Sequence, residues 1–210
     1  MGTELPFVSA EAFEHALDEH SPEPLGSVVR RALFFHYEEL RRWNSRLSLV
    51  GPGTAAEVVP RHYGESLAAL PFLQTSGETL VDIGSGAGFP GFVLAAARPD
   101  LAVTLIEPRE KKWAFLMNAI RRSSLSCTCL NARVGEHLPA TLPAKIDVVT
   151  SRALKLSPEH LGLFHRRNPG VRFLLWLGEV DPSLPAGWVI RRELKIQGSL
   201  QRRILEVCPS

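Results

Sequence analysis

The sequence predicts an α/β protein with a mostly parallel sheet, an antiparallel C-terminal edge and a helical N-terminal extension. Three observations carry that expectation. From Thr79 onward, short apolar runs bounded by glycine or proline alternate with amphipathic helical stretches, the pattern of parallel strands joined by right-handed crossovers. The last two strand-like runs, 188–194 and 202–207, have no helical stretch between them and read as an antiparallel pair closing the sheet. The residues before Thr79 carry apolar side chains at helical rather than alternating spacing. The expected division is a helical region over 1–75 and a sheet domain over 76–210.

In order along the chain, Ser9 caps a helix over 10–20, and Ser21-Pro22-Glu23-Pro24 breaks it. From Leu25, a second helix places Val29, Leu33, Tyr37, Leu40, Asn44 and Leu47 on one stripe, and Gly51-Pro52-Gly53 ends it. A further helical stretch is expected over 57–73. Strands follow at 80–83, 102–107, 127–130, 146–150 and 171–176, with helices over 90–97 and 111–122.

A length of 210 residues suits one sizeable domain with a small extension. Apolar content of 45% and charged content of 22% are those of a soluble globular protein. The formal net charge of +2 does not announce a nucleic-acid partner. The arginines nevertheless come in pairs, such as Arg30-Arg31, Arg41-Arg42 and Arg121-Arg122. Arginine suits phosphate because its planar fork donates two bonds at once, although any single pair also reads as a solvated face. Three cysteines make no disulfide framework. Cys127 and Cys129, two apart in a strand, share one face as small hydrophobes. No cysteine–histidine cluster has metal-ligand spacing, so no metal is expected. No apolar run approaches the roughly 20 residues needed to cross a bilayer, and residues 1–10 lack the pattern of a secretory leader. A reduced, cytoplasmic, monomeric protein is the expectation.

The run from Val81 to Gly91 is where the chemistry concentrates. Asp82 ends a strand, and Gly84, Gly86 and Gly88 follow at alternate positions. Glycine permits positive φ and lets backbone approach a ligand without a Cβ. In an open α/β sheet, ligands bind beyond the carboxyl ends of the strands. Glu107 ends the next strand, 19 residues after Gly88, where a carboxylate can accept both hydroxyls of a ribose. Two ligands fit this pattern. Gly86-Ala87-Gly88-Phe89-Pro90-Gly91 also satisfies G-x-G-x-x-G, in which a helix N-terminus holds a dinucleotide pyrophosphate. The turn alone leaves open a methyl donor or a nicotinamide dinucleotide, and hence a methyltransferase, an oxidoreductase or a non-catalytic binding module.

Asp82-Ile83-Gly84-Ser85-Gly86-Ala87-Gly88-Phe89-Pro90-Gly91 resembles the glycine run of the GidB family, bacterial guanine-N7 methyltransferases of small-subunit ribosomal RNA. Six further segments are similar: Arg42-Trp43-Asn44, Arg61-His62-Tyr63-Gly64-Glu65-Ser66, Ala97-Arg98-Pro99-Asp100, Glu107 with Lys111-Lys112 and Phe115-Leu116, Asn131-Ala132-Arg133-Val134-Gly135-Glu136 and Thr150-Ser151-Arg152-Ala153. The likeness runs from about Trp43 to Leu154. It implies a class I S-adenosylmethionine-dependent methyltransferase fold with a seven-stranded sheet, S-adenosylmethionine as cofactor, and 16S ribosomal RNA or the small ribosomal subunit as partner. By motif position it assigns cofactor contacts to Gly84, Phe89, Val134, Gly135 and Arg152, beside Asp82, Gly86, Gly88 and Glu107 from the residues themselves. RNA contacts are expected from Arg61 and His62, with Arg42, Arg46 and Arg152. Gly135, Glu65 and Leu177 depart from the family, which carries an acidic residue, an aspartate and a lysine at those positions. The lysine replaced by Leu177 bears on the substrate, so another RNA or a small molecule stands as the alternative acceptor.

Guanine N7 carries a lone pair and no proton, so the implied reaction asks for alignment rather than a general base. That agrees with a sequence showing no nucleophile–base set. A target base must be presented outside a regular helix to be reached.

Overall fold

The structure, a computed structural model, describes residues 2–74, 77–152 and 156–210. Helices α1 (Ala10–His20) and α2 (Ser27–Leu47) come first. The Ser9 hydroxyl accepts from the Ala12 amide and caps α1 as expected. The stretch expected as one helix over 57–73 is instead a broken path: a π-helical turn over Val59–Gly64, a short α3 (Glu65–Leu67) and a 3-10 turn over Leu70–Phe72. Pro60 and Pro71 lack the amide hydrogens that a continuous helix would need. Gly64 also lies against α1, where a Cβ would come within 2.7 Å of the His20 Cβ.

Seven strands then form one sheet: β1 (Thr79–Ile83), β2 (Ala102–Ile106), β3 (Cys127–Leu130), β4 (Val148–Arg152), β5 (Arg172–Leu177), β6 (Trp188–Lys195) and β7 (Arg203–Pro209). Their order is β3-β2-β1-β4-β5-β7-β6. The first five are parallel, and β7 runs antiparallel to both β5 and β6. The switch point of strand order therefore falls between β1 and β4, where Asp82 stands opposite Thr150. Helices α4 (Gly91–Ala97), α5 (Glu110–Ser123) and α6 (Pro158–Arg167) connect the strands. No element was expected where α6 lies. Pro158 occupies its first turn, where a missing amide hydrogen is harmless. Ser157 and His160 close the capping box.

Alternation along β1 sends Leu80 to one face and Val81 and Ile83 to the other, all buried. The first face packs a large core with Phe13, Leu33, Tyr37, Leu40, Leu94, Phe115 and Leu174. The helices before the sheet thus share their core with α4, α5 and one face of the sheet. The second face is covered by α6 through Leu161 and Phe164.

A buried ionic cluster ties the end of the helical extension to the far side of the sheet. The Arg172 guanidinium donates to Glu78 at 2.6 and 2.9 Å, to Glu206 at 2.8 Å and to the Phe72 carbonyl at 2.6 Å. Arg192 reaches the other oxygen of Glu206 at 2.5 Å. Removing one member leaves its partners charged and out of water. Arg172→Ala is expected to lower unfolding free energy by about 3–5 kcal/mol in urea titration, whereas the exposed Arg31→Ala should stay within about 0.5 kcal/mol. A loss below about 1 kcal/mol for Arg172→Ala would contradict this account of the cluster.

Candidate functional site

Beyond the carboxyl ends of β1, β2 and β4 lies a cleft of about 590 Å³, lined by Ile83, Gly84, Gly86, Glu107, Val134 and Arg152 among others. Its floor is the turn after β1. The amides of Gly84 and Ser85 donate to the Ile106 carbonyl at 2.9 and 3.0 Å, and the Gly88 amide donates to the Ser85 carbonyl at 2.6 Å. The buried Glu107 carboxylate accepts from the Gly86 amide at 2.9 Å and from the Arg109 amide at 2.8 Å. A carboxylate has about four acceptor positions, so two remain for a ligand diol. The Asn131 amide group donates to the Glu107 carbonyl at 3.0 Å, fixing the same strand end from the β3 side.

Geometry separates the two glycine patterns. Gly86 has φ of +56°, and a Cβ there would meet only the Gly84 carbonyl oxygen, at 3.7 Å. It faces the cleft. Gly88 and Gly91 face the protein. A Cβ on Gly88 would come within 2.8 Å of the Phe92 Cβ and 3.1 Å of His36 Nε2. One on Gly91 would come within 2.5 Å of the Asp82 Cβ. Gly91 serves the helix–strand packing that both patterns share, but Gly88, the glycine of G-x-G-x-x-G that would admit a pyrophosphate, is small for internal packing instead.

The other expected residues are spread around the cleft and beyond it. Val134 lines the cleft, while Gly135 lines an adjoining groove with Glu136, Glu159 and His160. Asp82 lies fully buried beneath the turn and accepts from the Thr150 hydroxyl at 2.7 Å. Burial pushes its carboxyl up to about 6. Phe89 is buried behind the turn, stacked on His62 at 4.9 Å between ring centres. Arg152 donates to the Arg61 carbonyl at 2.6 Å and to Glu65 at 3.0 Å, and its second terminal nitrogen is buried without a hydrogen-bond partner. The last residue of its motif, Ala153, lies outside the described residues. Arg61 faces a second cleft with Glu65 and Arg202. Arg42 pairs with Glu39 on α2 at 2.8 Å, and both it and Arg46 stand outside the cofactor cleft. Leu177, at the end of β5, packs against the second core.

Reading the residues alone did not assign Arg109, Arg133 or His160 to the site, or His36 to its support. His36 lies on the same stripe as Leu33 and Leu40 and was legible there as a buried position. The ring is fully buried, with Nδ1 2.6 Å from the Tyr63 hydroxyl and Nε2 2.8 Å from the Ala87 carbonyl. The carbonyl can only accept, so Nε2 carries the hydrogen and the Tyr63 hydroxyl donates to Nδ1. Burial holds the imidazole neutral, lowering its pKa to about 4. His62 is likewise pushed down, to about 3, by burial and then by Arg152 and Arg61. Burial raises the Cys127 and Cys129 thiols to about 11 and 12. They pack against the core as thiols, which are poor nucleophiles.

This sheet order, with its antiparallel seventh strand and a glycine turn under an acidic strand end, defines the class I S-adenosylmethionine-dependent methyltransferase fold. The crystal structure of a SAM dependent methyltransferase from Aquifex aeolicus shares it, with a TM-score of 0.54 at 13% identity over 72% of this chain and 92% of that one. The family model for rRNA small subunit methyltransferase G matches residues 30–180, and the chain belongs to that family, GidB. Ribosomal RNA small subunit methyltransferase G of Desulfotalea psychrophila is 36% identical over 166 residues, covering 74% of this chain and 76% of its own. The protein of the same name from Xanthomonas euvesicatoria is 36% identical over 192 residues, covering 88% and 86%. The residues present fit the cofactor: a carboxylate with acceptor capacity left, an open glycine beside it, and a guanidinium lining the cleft with one buried nitrogen that has no hydrogen-bond partner.

The His36 value of about 4, against an ordinary 6.5, means that the unfolded chain binds more protons between those limits. The His36 contribution to stability is complete above pH 6.5 and is lost as pH falls toward 4, about 3 kcal/mol in all. Asp82, raised from 3.8 to about 6, acts in the opposite sense, favouring the folded state at the acidic end of that window. His36→Gln keeps a donor and an acceptor but does not titrate. Urea midpoints taken across pH 4 to 6.5 should fall less for this variant than for the wild type, and equal slopes would contradict the assignment.

Proposed function

We infer that this chain transfers the methyl group of S-adenosylmethionine to N7 of a guanine in 16S ribosomal RNA. The observation that carries the reading is the Glu107 carboxylate, held by the Gly86 and Arg109 amides at the mouth of the cleft in a chain of this family. Glu107 takes the ribose hydroxyls, and Gly84 and Gly86 let the ligand lie against backbone. Val134 and the backbone at Gly135 flank the adenine. The free nitrogen of Arg152 receives the amino-acid carboxylate, a charge-assisted contact. Asp82, Gly88 and Phe89 support the turn from beneath.

When bound, S-adenosylmethionine supplies an electrophilic methyl group on a sulfonium. The chain need not remove a proton at the attacking atom, because guanine N7 has none. What its residues contribute is alignment of acceptor with donor. His62, neutral and stacked on Phe89, and Arg61 stand on the extension side of Arg152 and contact the RNA there. The protein works as a monomer in the cytoplasm, where its substrate is made. No helix among the described residues is long and apolar enough to cross a membrane. Leu177, at the family's lysine position, favours a second reading in which the acceptor is another RNA or a small molecule.

Purified protein should transfer labelled methyl from the donor to 16S ribosomal RNA taken from cells lacking this modification, and a nucleoside digest should place the label in N7-methylguanosine. Label in a different nucleoside, or none in RNA, would overturn the assignment. Glu107→Gln should weaken S-adenosylhomocysteine binding roughly tenfold or more in calorimetry, the loss of a charged acceptor.

A further inference from the structure

The structure sorts its cations into those already neutralised and those that are not. Arg152, Arg61 and Arg202 share the Glu65 carboxylate at 3.0, 3.4 and 3.0 Å. Arg42 is paired with Glu39. On the other half of the cofactor cleft, Arg109, Lys112 and Arg133 line the wall beyond β2 and β3. Among the described residues, none of these three side chains has a carboxylate or hydrogen-bond partner. Glu107 is the one carboxylate in that lining, and its two oxygens hold backbone amides.

We propose that Arg109, Lys112 and Arg133 form a docking site for the phosphodiester backbone of the substrate RNA strand. The proposal rests on the RNA reading above and locates part of the contact surface within it.

Charge decides against the cofactor as the partner of these side chains. S-adenosylmethionine carries a sulfonium, an ammonium and one carboxylate, so it is a net cation, and its adenosine end has no anionic group. Placing it beside three more cations is unfavourable unless an anion comes with the second substrate. Lys112 registers the deficit: burial and then Arg109 pull its pKa below the ordinary value, and Glu107 offsets this only in part. Arg109 and Arg133 are exposed at the rim, with guanidinium groups suited to two-pronged contact with phosphate oxygens. The site is built on fixed backbone. The Arg109 amide is pinned by Glu107, Arg109 caps α5, and Asn131 ties the loop leading to Arg133 back to the Glu107 carbonyl. A strand whose guanine reaches the centre of the cleft would then run from the Arg61–Arg152 side toward the ends of β2 and β3.

The test uses the full chain with single Arg109→Ala, Lys112→Ala and Arg133→Ala variants, and Arg31→Ala as a control of equal charge on α2. Binding of unmodified 16S ribosomal RNA is measured by anisotropy at several salt concentrations with S-adenosylhomocysteine present. Methyl transfer and calorimetry of S-adenosylhomocysteine are run alongside. Each cleft variant should weaken RNA binding about fivefold near 0.15 M salt and flatten the logarithmic salt dependence by about 0.7. S-adenosylhomocysteine affinity and thermal midpoint should stay at wild-type values, and Arg31→Ala should match the wild type throughout. Unchanged RNA affinity and salt slope in all three variants would overturn the docking site while leaving the methyltransferase reading intact. A matching loss of S-adenosylhomocysteine affinity would overturn it too, by assigning the cations to the cofactor. If the salt slopes change as expected but no methyl reaches guanine, the docking site stands and the reaction assignment falls.

Discussion

The Tyr63 hydroxyl donates to His36 at 2.6 Å, and His36 donates to the Ala87 carbonyl at 2.8 Å. Through these two bonds the helical extension grips the turn on which the cofactor cleft is built. The ring is wedged among Phe92, Phe89 and Phe115, so its position is set by packing as much as by polarity. That close approach explains Gly88, which has no room for a Cβ beside His36 Nε2. It also fixes the neutral tautomer, because a charged imidazole would lose its water and put a second hydrogen against Tyr63, a cost that Glu39 offsets only in part. The extension is thus part of the turn's support as well as a neighbour of the sheet.

On the opposite side, Glu107 draws the turn and the β2 exit together, and Asp82 joins β1 to β4 through Thr150. The cleft lies between these anchors. Its two halves differ in charge logic. Near β4, three arginines crowd one buried carboxylate and are largely spoken for. Near β2 and β3, the cations have no ion-pair partner among the described residues.

The strand runs were legible because buried parallel strands are short, apolar and bounded by glycine or proline, as Leu80-Val81-Asp82-Ile83 is. The antiparallel edge was legible because nothing helical separates β6 from β7. Helix α6 was not, since only Leu161 and Phe164 are fully buried on it and its proline and glycine imitate a loop. The segment around Pro60 looked helical by spacing, but two prolines and the close packing of Gly64 on α1 divide it. At the site, the residues themselves placed Gly86 and Glu107, and the family resemblance placed Gly84, Val134 and Arg152; all five line one cleft. Sequence spacing could not tell a glycine that faces a ligand from one that faces a histidine, because that depends on α2, about 50 residues upstream in the chain. Nor could it show which arginines already had partners, since Glu65, Arg152 and Arg202 meet only in the folded chain.

The central claim is that this turn is shaped for a methyl donor and not for a dinucleotide. Calorimetric titration of the purified protein with S-adenosylhomocysteine and, separately, with NADH tests it most directly. Saturable binding of S-adenosylhomocysteine at one site, with no heat from NADH, is the predicted result. Binding of NADH with none of S-adenosylhomocysteine would contradict the account.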